Sequence, residues 1–344
     1  MVRFRAWNQV RAFCLRCSAD REVARVAGFS TKTRHGLQPP ESSSKELRPT
    51  KDLTFPGSLR MEDLSREELL NVIKAAVVEQ EGSLVTINKP QGLPVTGKPG
   101  DLTLLTVLPD LSQSLGLRDQ ELQVVRAPAK DCSGLVLLSS CPQTTSHLHK
   151  FFTHSRRVQR PTALYCAVTD GIPAASEGKI QAALKREHIN GVELVVPVKP
   201  PSRKQVLEGV KNTLSYFRVI ATGSGCALVQ LQPLTVFLDQ LQVHMTLQLC
   251  PVLGDHTYSS RVSTVLGQRF LLPAENIKPS KQVMSEALLR CLLLTSSQAA
   301  QLPLHLHLQS LFLPGPRPQD APNEFRAPLP PYFSRTLQCL GLHQ

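Results

Sequence analysis

The sequence predicts an α+β body built on a central mixed or antiparallel sheet, and three observations carry that prediction. Short aliphatic and β-branched runs outnumber helical stretches. Several of these runs follow one another directly, without the long crossover that a parallel pair needs. Hydrophobic residues make up 41% and charged residues 19% of the 344-residue chain, which excludes wholesale disorder and fibrous repeats.

The chain opens on a basic segment. Residues 1–35 carry Arg3, Arg5, Arg11, Arg16, Arg21, Arg25, Lys32 and Arg34 against Asp20 and Glu22. The arginines are interleaved with Phe4, Trp7, Val10, Phe13 and Leu15, a pattern that predicts an amphipathic mitochondrial presequence with a cleavage neighbourhood near Arg25 to Ser30. A basic arm that binds RNA directly is the competing reading. Residues 36–60 are rich in Pro, Ser and Lys without periodicity and read as a disordered linker. The folded body is expected over 61–344.

Ser65 and Glu68 form a capping box, with Leu64 and Leu69 placed as a hydrophobic staple, which predicts a helix over 66–78. Residues 84–88 read as a strand running into a turn rich in Pro and Gly at 89–94. Further strands are expected at 122–126, 134–139, 163–169, 192–198, 214–221, 227–232 and 304–313. Helices are expected at 143–152, at 237–249 with Leu238, Leu241, Met245 and Leu249 on a core-facing stripe, and at 284–294.

Nine cysteines at irregular spacings argue against a disulfide framework, and most sit in apolar segments as small core residues. Cys14 and Cys17 form a single C-x-x-C with no second pair, so no zinc ribbon is expected. His147 with His149, and His305 with His307, alternate without a partner at ligand spacing and read as surface or strand histidines. No apolar run reaches the roughly 18 residues of a membrane span. The formal charge is +12, which suits a phosphate-rich partner. Removing the eight basic and two acidic residues of 1–35 halves the surplus to +6, so the body is only moderately basic.

Five short stretches then occur in a telling order. They are Lys89-Pro90-Gln91-Gly92-Leu93; Lys130-Asp131-Cys132-Ser133-Gly134 running into Leu135 to Leu138; and Tyr165-Cys166-Ala167-Val168 with Gly171. The fourth is Pro233-Leu234-Thr235 with Gln240, His244, Pro251, Gly254, Asp255 and Tyr258, and the last is Phe325-Arg326-Ala327-Pro328-Leu329-Pro330. Together they resemble the RluA-type RNA pseudouridine synthase family, and with the basic leader the chain looks like a mitochondrial paralogue in it. The resemblance implies one α+β catalytic domain with a basic cleft across the sheet. It also implies conversion of uridine to pseudouridine in mitochondrial mRNA or rRNA of the matrix, in support of translation, with no metal or cofactor. Other RNA-modification or ribosome-assembly proteins are expected as partners.

By the same resemblance Tyr165 is the tyrosine that stacks on the target base. Departures concern the chemistry. The family's catalytic aspartate falls on Ala129, its preceding H-R-L on Arg126, Ala127 and Pro128, and the two arginines of the fourth motif on Phe237 and Gln242. Asp131 is a candidate substitute, although on an extended segment it lies roughly 6.6 Å from the lost position; otherwise it is a loop carboxylate capping amides near Ser133 and Gly134. Lys89, Arg126, Lys130, Lys150, Arg156, Arg157, Arg160, Arg203 and Lys204 are the candidate RNA contacts. An RNA-binding or assembly factor that has kept the fold and lost the chemistry is the rival reading. A cleft that binds another protein is a third.

Overall fold

The computed structural model describes residues 61–343 except 118–119, 201–208, 275–279 and 316–320. The expected presequence and linker therefore lie outside the described residues, as do Arg203, Lys204, Cys14 and Cys17.

An eleven-stranded mixed sheet forms the frame, in the order β1 (Val77–Glu81), β2 (Leu84–Lys89), β4 (Ser133–Ser139), β12 (Leu306–Leu313), β5 (Ala163–Asp170), β9 (Cys226–Pro233), β8 (Lys211–Gly223), β6 (Glu177–Ile189) and β7 (Val192–Val198). Off this path, β3 (Gln123–Arg126) pairs with β4, and β13 (Asn323–Arg326) pairs with β12. All the pairings in this sheet are antiparallel except β4 with β12. β10 (Val262–Val265) and β11 (Gln268–Leu271) form a separate hairpin.

Helices cover both faces. α1 (Arg66–Ala75) and α2 (Leu104–Ser114) bury Leu69, Ile73, Val107 and Leu111 against β2 and β4. α3 (Pro142–Arg157) and α4 (Gln240–Leu247) contribute Leu148, Phe152, Leu241 and Met245 to the central core. α5 (Glu286–Leu292), α6 (Ser296–Ala299) and α7 (Pro331–Leu340) bury Leu288, Leu292, Ala299, Phe333 and Leu337 with Cys166 and Val168 of β5. No described helix is long and apolar enough to cross a membrane.

Several elements depart from expectation. α1 stops at Ala75 rather than Val78, because the β-branched pair Val77 and Val78 starts an edge strand that folds back on β2 across Gly82, at φ +56°. α4 starts at Gln240, so Leu238 lies in the preceding turn and is exposed. Of the alternating pair expected on the surface or in a strand, His307 lies on β12 and His305 just before it, and both are buried. His305 bonds Pro303 O and Thr336 Oγ1, both at 2.8 Å, and His307 bonds Ser133 Oγ at 2.9 Å. His147 and His149 are exposed on α3. Cys132, Cys166, Cys226 and Cys250 are buried as expected, whereas Cys291 is exposed.

The parallel junction between β4 and β12 positions the rest. Leu308 faces Gly134 on one side and Tyr165 on the other. Gly134 has φ +120°, and a Cβ there would run into the Leu308 backbone, so only glycine allows the approach. Gly134→Ala is expected to cost roughly 2–4 kcal/mol, read as a fall in the denaturant midpoint; an unchanged midpoint would count against the junction's importance.

Burial lowers the pKa of His244, His305 and His307 to about 4. The unfolded chain then binds more protons between about pH 6.5 and 4, so stability is intact above 6.5 and falls as pH drops through that window, by on the order of 3 kcal/mol per imidazole. His307→Gln should flatten the pH dependence of the melting temperature between pH 7 and 4.5. A variant as pH-sensitive as the parent would contradict the assignment.

Candidate RNA-binding cleft

The C-terminal end of β3, the turn before β4 and the segment between β9 and α4 enclose a cleft of about 620 Å³. Tyr165 of β5 and Leu306 of β12 line it from the sheet. Tyr165 is pushed up to about 12 by burial, an effect moderated by the neighbouring Arg126. Its hydroxyl therefore stays protonated, and its ring is fixed by the strand register that pairs it with Leu308 and Leu231. The guanidinium of Arg126 lies 5.3 Å from the centroid of the Phe152 ring, a cation–π contact that holds it at the cleft edge.

Ala129, Phe237 and Gln242, on which the resemblance places the family's aspartate and two arginines, all line the cleft. The cleft nevertheless has charges of its own: Arg126, Arg186 and Asp239. Arg186 comes from β6 and pairs with Glu193 of β7 at 3.3 Å. Asp239 precedes α4, and its Oδ2 accepts a 2.8 Å hydrogen bond from the Tyr258 hydroxyl. Burial raises the Asp239 pKa most, and Tyr258 and Arg186 act the other way.

The remaining motif residues hold this wall in place. Gln240 donates to Leu214 O at 3.2 Å and to Ser215 Oγ at 2.9 Å, and accepts from Thr235 Oγ1 at 3.0 Å. His244 Nε2 meets Thr213 Oγ1 at 2.8 Å. Asp255 Oδ1 accepts from the amides of Thr257 and Tyr258 at 2.9 and 3.0 Å. This turn presents Tyr258, whose hydroxyl also accepts from Val195 N at 3.1 Å. Each of these residues has at least one backbone or side-chain partner, while His244 Nδ1 is buried with none among the described residues.

Two expectations are corrected. Lys89 is completely buried, and its Nζ donates to Pro90 O, Leu93 O and Lys130 O at 3.1, 2.9 and 3.0 Å. Burial lowers its pKa to about 8. It ties the 89–94 turn to the 129–132 turn and presents no surface to a phosphate. Asp131 is exposed and does not line the cleft. Its segment is a turn, closed by Cys132 N donating to Ala129 O at 3.2 Å, and not the extended stretch assumed above.

Lys130, Lys150, Arg156, Arg157 and Arg160 are all exposed. The last four lie on or just after α3, which packs on β3 and places Phe152 beside Arg126. The sequence reading missed Arg186 and Asp239. Arg186 lies on a strand that was not expected. Asp239 stands immediately before the motif's Gln240, where the family pattern has histidine, and that departure was the available signal. Among the described residues, no three His, Cys, Asp or Glu side chains gather as a metal site.

A family model described as RNA pseudouridylate synthase matches residues 83–247. Mitochondrial mRNA pseudouridine synthase RPUSD3 of Homo sapiens is 73% identical over 322 residues, covering 94% of this chain and 91% of the relative. The Mus musculus protein of the same name is 68% identical, covering 93% of each. Pseudouridylate synthase RPUSD4, mitochondrial, of Rattus norvegicus is 30% identical, covering 96% of this chain and 88% of the relative. Among solved structures, human RNA pseudouridylate synthase domain containing 4 superposes with a TM-score of 0.64 at 26% identity, covering 81% of this chain and 98% of that one. With Tyr165 at the wall of a cleft lined by residues of the second, third and fourth motifs, and with relatives matched along nearly their whole length, the chain belongs to the RNA pseudouridylate synthase family.

Proposed function

We propose that the protein works in the mitochondrial matrix, where it binds messenger RNA across the cleft, draws one uridine out of the stack and isomerises it to pseudouridine. The observation that carries this reading is Tyr165, a buried, register-fixed aromatic ring lining a cleft large enough for a nucleotide. Unstacking a base costs a few kcal/mol, and stacking it on an aromatic ring returns about 1–3 kcal/mol. Arg126 and the exposed cations of α3 supply phosphate contacts beside the opening. The names of the RPUSD3 relatives support messenger RNA as the class of substrate, and the Arg-rich leader over 1–35 supports import before a linker at 36–60 and the body at 61–344.

Ala129 favours a second reading, an RNA-binding member of the family without catalysis of its own. Leaving an arginine unpaired in a buried pocket costs energy, so loss of the aspartate and of its arginine partners would go together. One experiment separates the two. The purified protein is incubated with mitochondrial transcripts in the absence of any other synthase, and pseudouridine is mapped chemically. The proposal expects site-specific modification; binding without modification would establish the second reading.

Charge reversal in the double variant Arg156→Glu/Arg157→Glu should weaken RNA binding across unrelated sequences and reduce the salt slope by roughly one to two units, since each phosphate contact contributes about 0.7–0.9. Filter binding at several salt concentrations reads both. An unaltered affinity would remove these residues from the interface.

A further inference from the structure

Resting on the catalytic reading above, we propose that Asp239 is the catalytic carboxylate of this chain, with Tyr258 as its positioning residue and Arg186 as its countercharge. Among the described residues that line the cleft, Asp239 alone is acidic, and it shares that cleft with Ala129 and Tyr165. The function moves from the turn before β4 to the facing wall, so a carboxylate and a stacking ring still meet the same nucleotide.

The backbone is committed to this arrangement. Asp239 has φ 48° and ψ 21°, a left-handed conformation that a non-glycine residue adopts at a cost. It occupies the N-cap of α4, where an aspartate ordinarily accepts from the first-turn amides. Its side chain makes no such bond. It turns instead to Tyr258, which holds Oδ2 at 2.8 Å, while Oδ1 has no hydrogen-bond partner among the described residues. Tyr258 is itself held by Val195 N and by the Asp255 turn. A buried chain of three residues therefore fixes one oxygen of a cleft-lining carboxylate and leaves the other for substrate, the arrangement a positioned nucleophile needs.

The titratable and charged groups acting on or with Asp239 are Tyr258, Asp131, Arg186, Asp255 and Cys132; Arg186 is shared with Glu193 at 3.3 Å, and Arg126 lines the same cleft. Desolvation raises its pKa first; Tyr258 lowers it, Asp131 raises it and Arg186 lowers it. Removal from water leaves a carboxylate less solvated and so more nucleophilic, while the Tyr258 hydrogen bond and Arg186 oppose the rise that burial imposes on its pKa.

The chemistry balances without any co-reactant. Asp239 Oδ1 adds to the ribose C1′ as the N1–C1′ bond breaks, and the electron pair leaves on uracil N1. After the base turns, C5 attacks C1′, forming the carbon–carbon bond and returning the electron pair to the carboxylate. The C5 proton passes to water, N1 takes a proton from water, and the product is an isomer of the substrate.

The test measures tritium release from transcripts carrying 5-tritiated uridine, under single turnover with the full chain. The parent protein is expected to release tritium. Asp239→Asn should lose at least 100-fold in rate with unchanged RNA affinity. Tyr258→Phe should slow the step and move the acid limb of its pH profile upward, because the lost hydrogen bond had held the carboxylate pKa down. Should Asp239→Asn melt early, Arg186→Gln, at a half-exposed position, gives the second reading. It should lower the turnover rate and not the affinity, with the acid limb again moved upward; a parental rate and pH profile would overturn the proposal. Asp239→Asn at the parental rate would overturn the Asp239 assignment and leave the proposed function standing. A parent protein that binds RNA and releases no tritium would overturn both.

Discussion

Leu308 sits where the two halves of the sheet join, and the cleft depends on that contact. Its backbone pairs with Gly134 in the parallel direction and with Tyr165 in the antiparallel direction. Only two residue pairs make the parallel join, so its strength comes from tight packing and from side chains that lock it. Ser133 reaches His307 Nδ1 at 2.9 Å and the Tyr332 hydroxyl at 3.2 Å, which ties β4, β12 and α7 together. The Ser-Gly pair of the second motif is thus a structural device: serine supplies the lock and glycine the close approach.

From that join two turns reach the cleft. The Lys89 ammonium ties the turn after β2 to the turn bearing Ala129 by three carbonyl contacts. A buried cation held by three backbone carbonyls, with Asp131 acting on it from the same turn, is costly to remove, because three acceptors would lose their donor. The facing wall is held by Thr235, Gln240 and His244 through β8. These motif residues keep their structural work whether or not the aspartate position is filled, which explains how the chain departs from the family at Ala129, Phe237 and Gln242 and keeps its fold.

Much of this was readable in the residues. The capping box at Ser65, the alternating and apolar runs, and the five ordered motifs indicated an α+β sheet and the place of Tyr165. β6 was missed because its solvent-facing Lys179, Gln181 and Glu187 dilute the apolar signal, and Arg186 was missed with it. Lys89 was assigned to RNA because a charge in sequence carries no mark of burial; only the folded turns show three carbonyls converging on it. For the same reason the sequence left surface and strand open for His305 and His307: His307 lies on β12, and both are buried. Asp239 was passed over because the family pattern has no carboxylate there, and its turn toward Tyr258 depends on a chain reversal that local sequence does not encode.

On the proposed function a single uridine enters this cleft and lies against Tyr165. Photo-crosslinking of a transcript containing 4-thiouridine, followed by sequencing of the adducted peptides, tests it directly. Adducts are expected on the peptide containing Tyr165 and on those spanning 125–132 or 233–242. Adducts confined to α3 or to the outer strands, with none in the cleft, would contradict it.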